Sequence, residues 1–194
     1  MYIAFRPKLT YLEANRTNCK YDKPVIYVGN HTSHMDGIMS SVIFGRSKAN
    51  IIVAKDWYEQ KKYNWFLKNN RCIPMDRYKV ETGWLKYAKE AIKRGESIII
   101  YPEGRTGTEK ELREFKSGFV MLALMTGTPI VPFATTGEYH IIFGKRQRVL
   151  VGEPIELSQE GKGLTPEYLT AESEKYRQLV MKIRDGKEEQ KDGI

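Results

Sequence analysis

The chain has 194 residues, 41% hydrophobic and 29% charged; 32 Lys and Arg against 24 Asp and Glu give a formal net charge of +8. That is enough for one domain with a real core, and its two cysteines, Cys19 and Cys72, lack metal-ligand spacing, which excludes a disulfide framework and a zinc ribbon and makes a reducing cytosol the default. The positive balance suits an anionic partner (nucleic acid, a membrane surface or a phosphorylated ligand) without choosing among them, and a merely basic globular protein has it too.

The opening stretch MYIAFRPKLTYLEANRTN has no long apolar core and no small-residue cleavage site, so no signal peptide is read there. PVIYVGN (24–30) is a short β-rich run between Pro and Gly-Asn, expected to be a buried strand. SHMDGIMSSVIF (33–44) has helical spacing, with Met35, Ile38, Met39 and Val42 on one face. NIIVAK (50–55) reads as a second strand, and 56–69 as a helix capped by Asp56. CIPM (72–75) is short and extended, and 79–95 is an amphipathic helix ending at a glycine. SIIIYPEG (97–104) is a strand running into a loop. The uncharged run 117–137 is long enough for a bilayer, yet Gly127-Thr128-Pro129 cuts it and Pro132 follows. It is read as the end of a buried helix (114–127), a turn and a buried strand (129–137). A strand over 148–157 and a helix over 165–186 complete the chain, with Thr165 as cap and Pro166 in the first turn. The tail 186–194 is expected to fray. No helix is expected to cross a membrane, so the chain reads as soluble or peripheral.

Strands alternating with helices predict an α/β fold: a single domain over 1–194, its core about 24–157, with a mostly parallel mixed sheet flanked by helices. Sites in such sheets form beyond the C-terminal strand ends. GNHTSHMD and YPEGRTGT both lie there.

The first loop has three readings. Ser33 with Asp36 fits a capping box, Asp36 answering the backbone N–H of Ser33. A metal site would need His31, His34 and Asp36 to converge from one tight turn, and the remaining histidine, His140, is far along the chain. A general base needs less: an imidazole takes the proton of a substrate hydroxyl, and a carboxylate fixes its tautomer. With His31 on the loop and Asp36 in the first helical turn, the two side chains can meet. No G-x-S-x-G occurs, so the nucleophile would be the substrate's own hydroxyl.

In the second loop, Arg105, Thr106 and the N–H groups around Gly104 and Gly107 suit a phosphate, although a solvated turn with salt bridges has the same composition. Asp76-Arg77 adds a guanidinium at a third strand end, or else a surface ion pair.

Together these stretches resemble the glycerolipid acyltransferases, the 1-acylglycerol-3-phosphate O-acyltransferase family. NHTSHMD (30–36), IPMDR (73–77), YPEGRTG (101–107) and IVPFA (130–134) match its four blocks in order, and FKSG (115–118) fits the link between the last two. There are departures. Arg105-Thr106 stands where Thr-Arg is usual, Arg71 stands where glycine is common, and the long N-terminal apolar helix of many relatives is missing.

The resemblance implies roles. His31 would take the proton from the acceptor hydroxyl and Asp36 would orient it. Arg77 and Arg105, with Thr106 beside them, would bind the acceptor's phosphate, and Glu103 and Gly104 would shape the pocket. The donor would be acyl-CoA or acyl carrier protein and the acceptor a lysophospholipid, first 1-acylglycerol 3-phosphate giving phosphatidic acid. No metal and no other cofactor would be needed, and no nucleic acid is implied. The enzyme would work peripherally, from the cytoplasm at the inner face of an anionic membrane. The stretch 56–68 mixes Trp57, Tyr58, Trp65 and Phe66 with Lys61, Lys62 and Lys68, the composition of an interfacial helix, or of aromatics packed inward with solvated lysines. Two rivals stand beside this reading. One is the same chemistry on another acceptor, such as a lyso-ornithine lipid or other alcohol. The other is a basic non-catalytic module on an anionic membrane.

Overall fold

A computed structural model describes residues 7–78, 82–107, 112–137, 147–157 and 164–186. Among these residues seven strands form one sheet: β1 Lys8–Tyr11, β2 Ile26–Gly29, β3 Asn50–Ala54, β4 Cys72–Met75, β5 Ile98–Ile100, β6 Ile130–Thr136 and β7 Arg148–Val151, in the order β1-β7-β6-β2-β5-β3-β4. Every pairing is parallel except β6 with β7. β2, β5 and β6 are buried almost end to end, which is why they read as continuous apolar runs rather than alternating ones. β1 was not foreseen; it is a half-exposed edge strand beside β7.

Among the described residues six α-helices flank the sheet: α1 Asp36–Ile43, α2 Lys55–Tyr58, α3 Lys61–Asn69, α4 Gly83–Lys93, α5 Gly118–Thr126 and α6 Pro166–Asp185. Trp84 and Leu85 of α4, Phe119 and Leu122 of α5, and Tyr176 and Val180 of α6 pack into one core, while Met39 and Ile43 of α1 pack into a second with Tyr27, Val131 and Phe133. The turn after α5 uses Gly127 at φ 63°, a left-handed position, as the break in the uncharged run requires. Thr165 caps α6 by accepting from the Tyr168 N–H at 3.2 Å. Residues 79–81 of the predicted helix 79–95, and the tail from 187 on, lie outside the described residues.

Five local expectations change. The helix predicted from Ser33 begins at Asp36, because the Asp36 carboxylate folds back onto the loop before it. Its buried face is Asp36, Met39, Ser40 and Ile43, so Met35 and Ile38 are only partly covered and Val42 is 37% exposed. The helix predicted over 56–69 is two helices, split where Gln60 is extended at ψ 123°. That break seats Trp57 against both His34 and Tyr63, at ring separations of 5.0 and 5.4 Å, a tertiary preference that overrides local propensity. Asp56 is no cap: Ala54 holds that position and makes no side-chain cap bond. Finally, α5 starts at Gly118 rather than 114, because 112–117 runs along the loop after β5, with the Lys116 N–H on the Pro102 carbonyl at 3.0 Å.

β2 lies between β5 and β6, with Val28 opposite Ile100 and Gly29 opposite Phe133. The loops leaving β2 and β5 therefore emerge side by side. A Cβ on Gly29 would stand 2.4 Å from the Phe133 ring, so glycine is needed for that close approach.

Candidate active site

The loop after β2 is fixed at its root by Asn30. Its buried amide donates to the Thr135 carbonyl at 2.9 Å and accepts from the Thr135 N–H at 2.7 Å, extending the β2–β6 ladder through a side chain. His31 follows. Its N–H donates to Glu103 Oε1 at 2.7 Å, and its carbonyl accepts from the Gly107 N–H at 2.6 Å, so the loop after β5 holds both sides of its peptide backbone.

The imidazole is oriented from two directions. Its ring stacks on Tyr101, with centroids 4.6 Å apart and planes 25° from parallel. Its Nδ1 lies 2.9 Å from Asp36 Oδ2. A carboxylate only accepts, so this contact puts the proton on Nδ1 and leaves the Nε2 lone pair free for chemistry. Asp36 is 1% exposed, and the same oxygen accepts from the N–H groups of Thr32 at 2.6 Å and Ser33 at 2.8 Å. The capping and orienting readings are thus one arrangement: Asp36 answers the Ser33 N–H and holds His31 with the same atom. The Tyr101 hydroxyl donates to the Asp36 carbonyl at 3.0 Å, and burial, reinforced by the Asp36 charge, holds its phenol well above the ordinary value. It stays a neutral donor in working conditions.

Beside this pair lies a cleft of about 910 Å³, lined by Arg77, Tyr78, Glu103, Gly104, Arg105, Arg113, Glu114, Phe115, Lys116, Ser117, Thr170 and Ser173. Glu103 joins the two features. It lines the cleft, is 6% exposed, and spends both oxygens on backbone: Oε1 on His31 N–H and Oε2 on Arg113 N–H at 3.1 Å. Burial pushes its carboxyl above the ordinary range, against the pull of those two N–H groups and of the nearby His31 and Arg113 charges. Gly104 next to it is at φ 69°, where a side chain is strained.

Arg77, Glu103, Gly104 and Arg105 share one cleft, and His31 meets Asp36. Thr106 does not line the cleft. Arg77 pairs with Asp56, not with its neighbour Asp76, whose carboxylate instead accepts from the Tyr78 N–H at 2.9 Å. The Arg77 Nε is buried without a partner among the described residues. Sequence reasoning missed Asn30, Tyr101, Arg113 and Lys116 as site residues. Asn30 stands inside the first block and Lys116 inside FKSG, so both were on view, but their partners are distant in sequence.

His34 turns away to Trp57 rather than toward His31, and His140 lies outside the described residues. Among the described residues no group of three His, Cys, Asp or Glu is placed to hold a metal ion. Cys19 and Cys72 are free thiols pushed up by burial, Cys72 to about 12, which makes either a poor nucleophile near neutral pH.

A family model described as Acyltransferase matches residues 11–136. The chain belongs to the acyltransferase family. The chloroplastic 1-acyl-sn-glycerol-3-phosphate acyltransferase BAT2 of Brassica napus is 28% identical over 144 residues, which is 69% of this chain and 41% of that protein. The chain thus spans less than half the length of that relative. A 1-acyl-sn-glycerol-3-phosphate acyltransferase of Bacillus subtilis (strain 168) is 25% identical over 174 residues, 88% of this chain and 86% of that one. The crystal structure of the 1-acyl-sn-glycerophosphate acyltransferase of Thermotoga maritima superposes with a TM-score of 0.63 at 22% identity, covering 94% of this chain and 73% of that one. At that identity the likeness speaks for the fold, and it agrees with the α/β sheet of this acyltransferase-family chain.

Proposed function

We propose that the chain transfers a fatty acyl group from a thioester, acyl-CoA or acyl carrier protein, to the hydroxyl of a lysophospholipid, first 1-acylglycerol 3-phosphate, giving phosphatidic acid. One observation carries the reading: the buried Asp36 holds His31 Nδ1 at 2.9 Å, beside a cation-lined cleft tied to His31 through Glu103. The names of the matched relatives point the same way.

In this mechanism His31 Nε2 takes the proton of the acceptor hydroxyl as its oxygen attacks the thioester carbonyl. The resulting tetrahedral adduct collapses, the C–S bond breaks, and the imidazolium returns the proton to the leaving thiolate. Asp36 keeps the tautomer and stabilises the imidazolium. Arg77 and Arg105 bind the acceptor's phosphate, the orphaned Arg77 Nε suiting an anionic oxygen. No step uses a metal or prosthetic group. The Arg77–Asp56 pair favours a second reading, a phosphate-free acceptor, since that guanidinium already has a carboxylate.

The acceptor resides in membranes, and we place the protein at the anionic inner face. Among the described residues no helix is long and apolar enough to cross a membrane. α3 supports peripheral contact: none of its residues is buried, Lys61, Lys62 and Lys68 are exposed, and Trp65 is 76% exposed.

The test is thiol release from palmitoyl-CoA and from palmitoyl carrier protein, with lysophosphatidate or a phosphate-free lysolipid as acceptor. Acceptor-dependent release that His31→Ala lowers by about 10²–10⁴ is expected. Equal release from wild type and His31→Ala would remove the mechanism, and transfer to the phosphate-free acceptor alone would leave only the second reading.

A further inference from the structure

We infer that Lys116 is a further acceptor-phosphate ligand, a cation from the segment before α5 that lies in the cleft against the loop after β5. The inference rests on the acceptor reading above. It starts from a position fixed by three hydrogen bonds. The Lys116 N–H is fixed on the Pro102 carbonyl at 3.0 Å. The carbonyl of the preceding Phe115 accepts from Ser173 Oγ of α6 at 3.1 Å. The Leu112 carbonyl accepts from Arg177 Nη1 of α6 at 3.3 Å. A segment held at both ends presents its side chains in a defined direction.

That direction is across Gly104. A Cβ on Gly104 would stand 3.4 Å from both Cε and Nζ of Lys116, so the lysine stem lies against the bare backbone of the left-handed turn. The glycine supplies the left-handed turn against which the lysine stem lies.

The charge balance selects Lys116 among the cations lining the cleft. Arg77 is paired with Asp56. Arg113 donates its backbone N–H to Glu103, and its charge acts on that buried carboxylate. Among the described residues neither Lys116 nor Arg105 has a carboxylate within ion-pair distance. Two uncompensated cations flank Gly104 in a concave site, which suits a dianionic phosphate monoester that shares its charge between them.

The experiment compares wild type, Lys116→Ala and Lys116→Arg in two assays. Calorimetry measures binding of a short-chain lysophosphatidate and of the matching monoacylglycerol, both below their micelle concentrations. Kinetics measures acceptor KM, donor KM and kcat. For Lys116→Ala, lysophosphatidate affinity is expected to fall about tenfold, the size of one charge-assisted contact at an open site. Monoacylglycerol binding and donor KM are expected to stay put, and Lys116→Arg is expected to recover most of the affinity. Unchanged lysophosphatidate affinity in Lys116→Ala would overturn the assignment while leaving the transfer reaction standing. A rise in donor KM instead would also overturn it. Lysine-dependent binding without any acyl transfer would overturn the proposed reaction and leave the phosphate site, and no lysophosphatidate binding by wild type would overturn both.

Discussion

Glu103→Gln separates position from stability. Two backbone N–H groups, of His31 and Arg113, converge on the carboxylate at 2.7 and 3.1 Å. Glutamine keeps one acceptor oxygen and turns an NH₂ toward the other N–H, leaving a buried donor unsatisfied at a cost of about 1–3 kcal/mol. Against this, burial raises the Glu103 pKa despite the two N–H bonds, so removing the charge returns part of the loss. A net cost of about 1–2 kcal/mol corresponds to a Tm lower by about 2–8 °C in a chain of this size. The pH dependence has a definite sign. Because the folded value lies above the unfolded one, this group's stabilisation is full below about pH 4.5 and is lost as pH rises through the folded pKa. The gap in Tm between wild type and Glu103→Gln is therefore widest in acid and narrows as pH rises. Activity behaves differently. Losing one of the ties on the His31 backbone shifts the base, and misplacement by about 1 Å costs about 10²-fold in kcat. Thermal unfolding from pH 4 to 8 and kcat with saturating acceptor measure both effects. Wild-type kcat, or a Tm gap that widens with pH, would refute the reasoning.

Other variants probe the supports. Asn30→Ala leaves the Thr135 N–H and carbonyl, both met by the Asn30 amide, without their partner. It is expected to destabilise by about 2–4 kcal/mol in urea unfolding, and a loss under about 0.5 kcal/mol would show that water replaces the amide. Trp65→Ala, at a 76% exposed site on α3, is expected to leave the Tm within about 2 °C. It should weaken sedimentation with anionic vesicles about tenfold, the value of one aromatic side chain leaving an apolar environment. Unchanged vesicle binding would move the membrane contact to another surface.

The central strands were legible because they are buried on both faces, which writes an unbroken apolar run into 25–28, 98–100 and 130–134. β1 was not, because KLTY is an edge strand that takes its definition from β7. The His31–Asp36 pair was legible for a local reason: five residues across a loop-to-helix turn bring the two side chains together without help from the rest of the fold. The face of α1 was misjudged for the same reason. Turning Asp36 inward toward His31 fixes the buried stripe at Asp36, Met39, Ser40 and Ile43, a rotation that apolar spacing alone does not favour. Arg77 was read as a phosphate ligand or a surface ion pair, and its carboxylate partner is Asp56, because β3 and β4 run parallel and their C-terminal ends are adjacent.

The remaining gap concerns what Glu103 does. From its block it reads as a pocket wall, and in the fold it does line the cleft. Its bond to His31 joins residues 72 apart in the chain, and exists because β5 inserts beside β2 rather than following strand order. The two loops that the motifs single out become one site only through that insertion, and Glu103 is the side chain that spans them. A wall residue affects acceptor KM. A tie to the base loop affects kcat with acceptor saturating, and as a side chain lining the cleft it affects acceptor affinity as well. A loss in both parameters together on Glu103→Gln, against an acceptor-affinity loss alone on Lys116→Ala, is therefore what distinguishes the strut between the loops from a ligand inside the cleft.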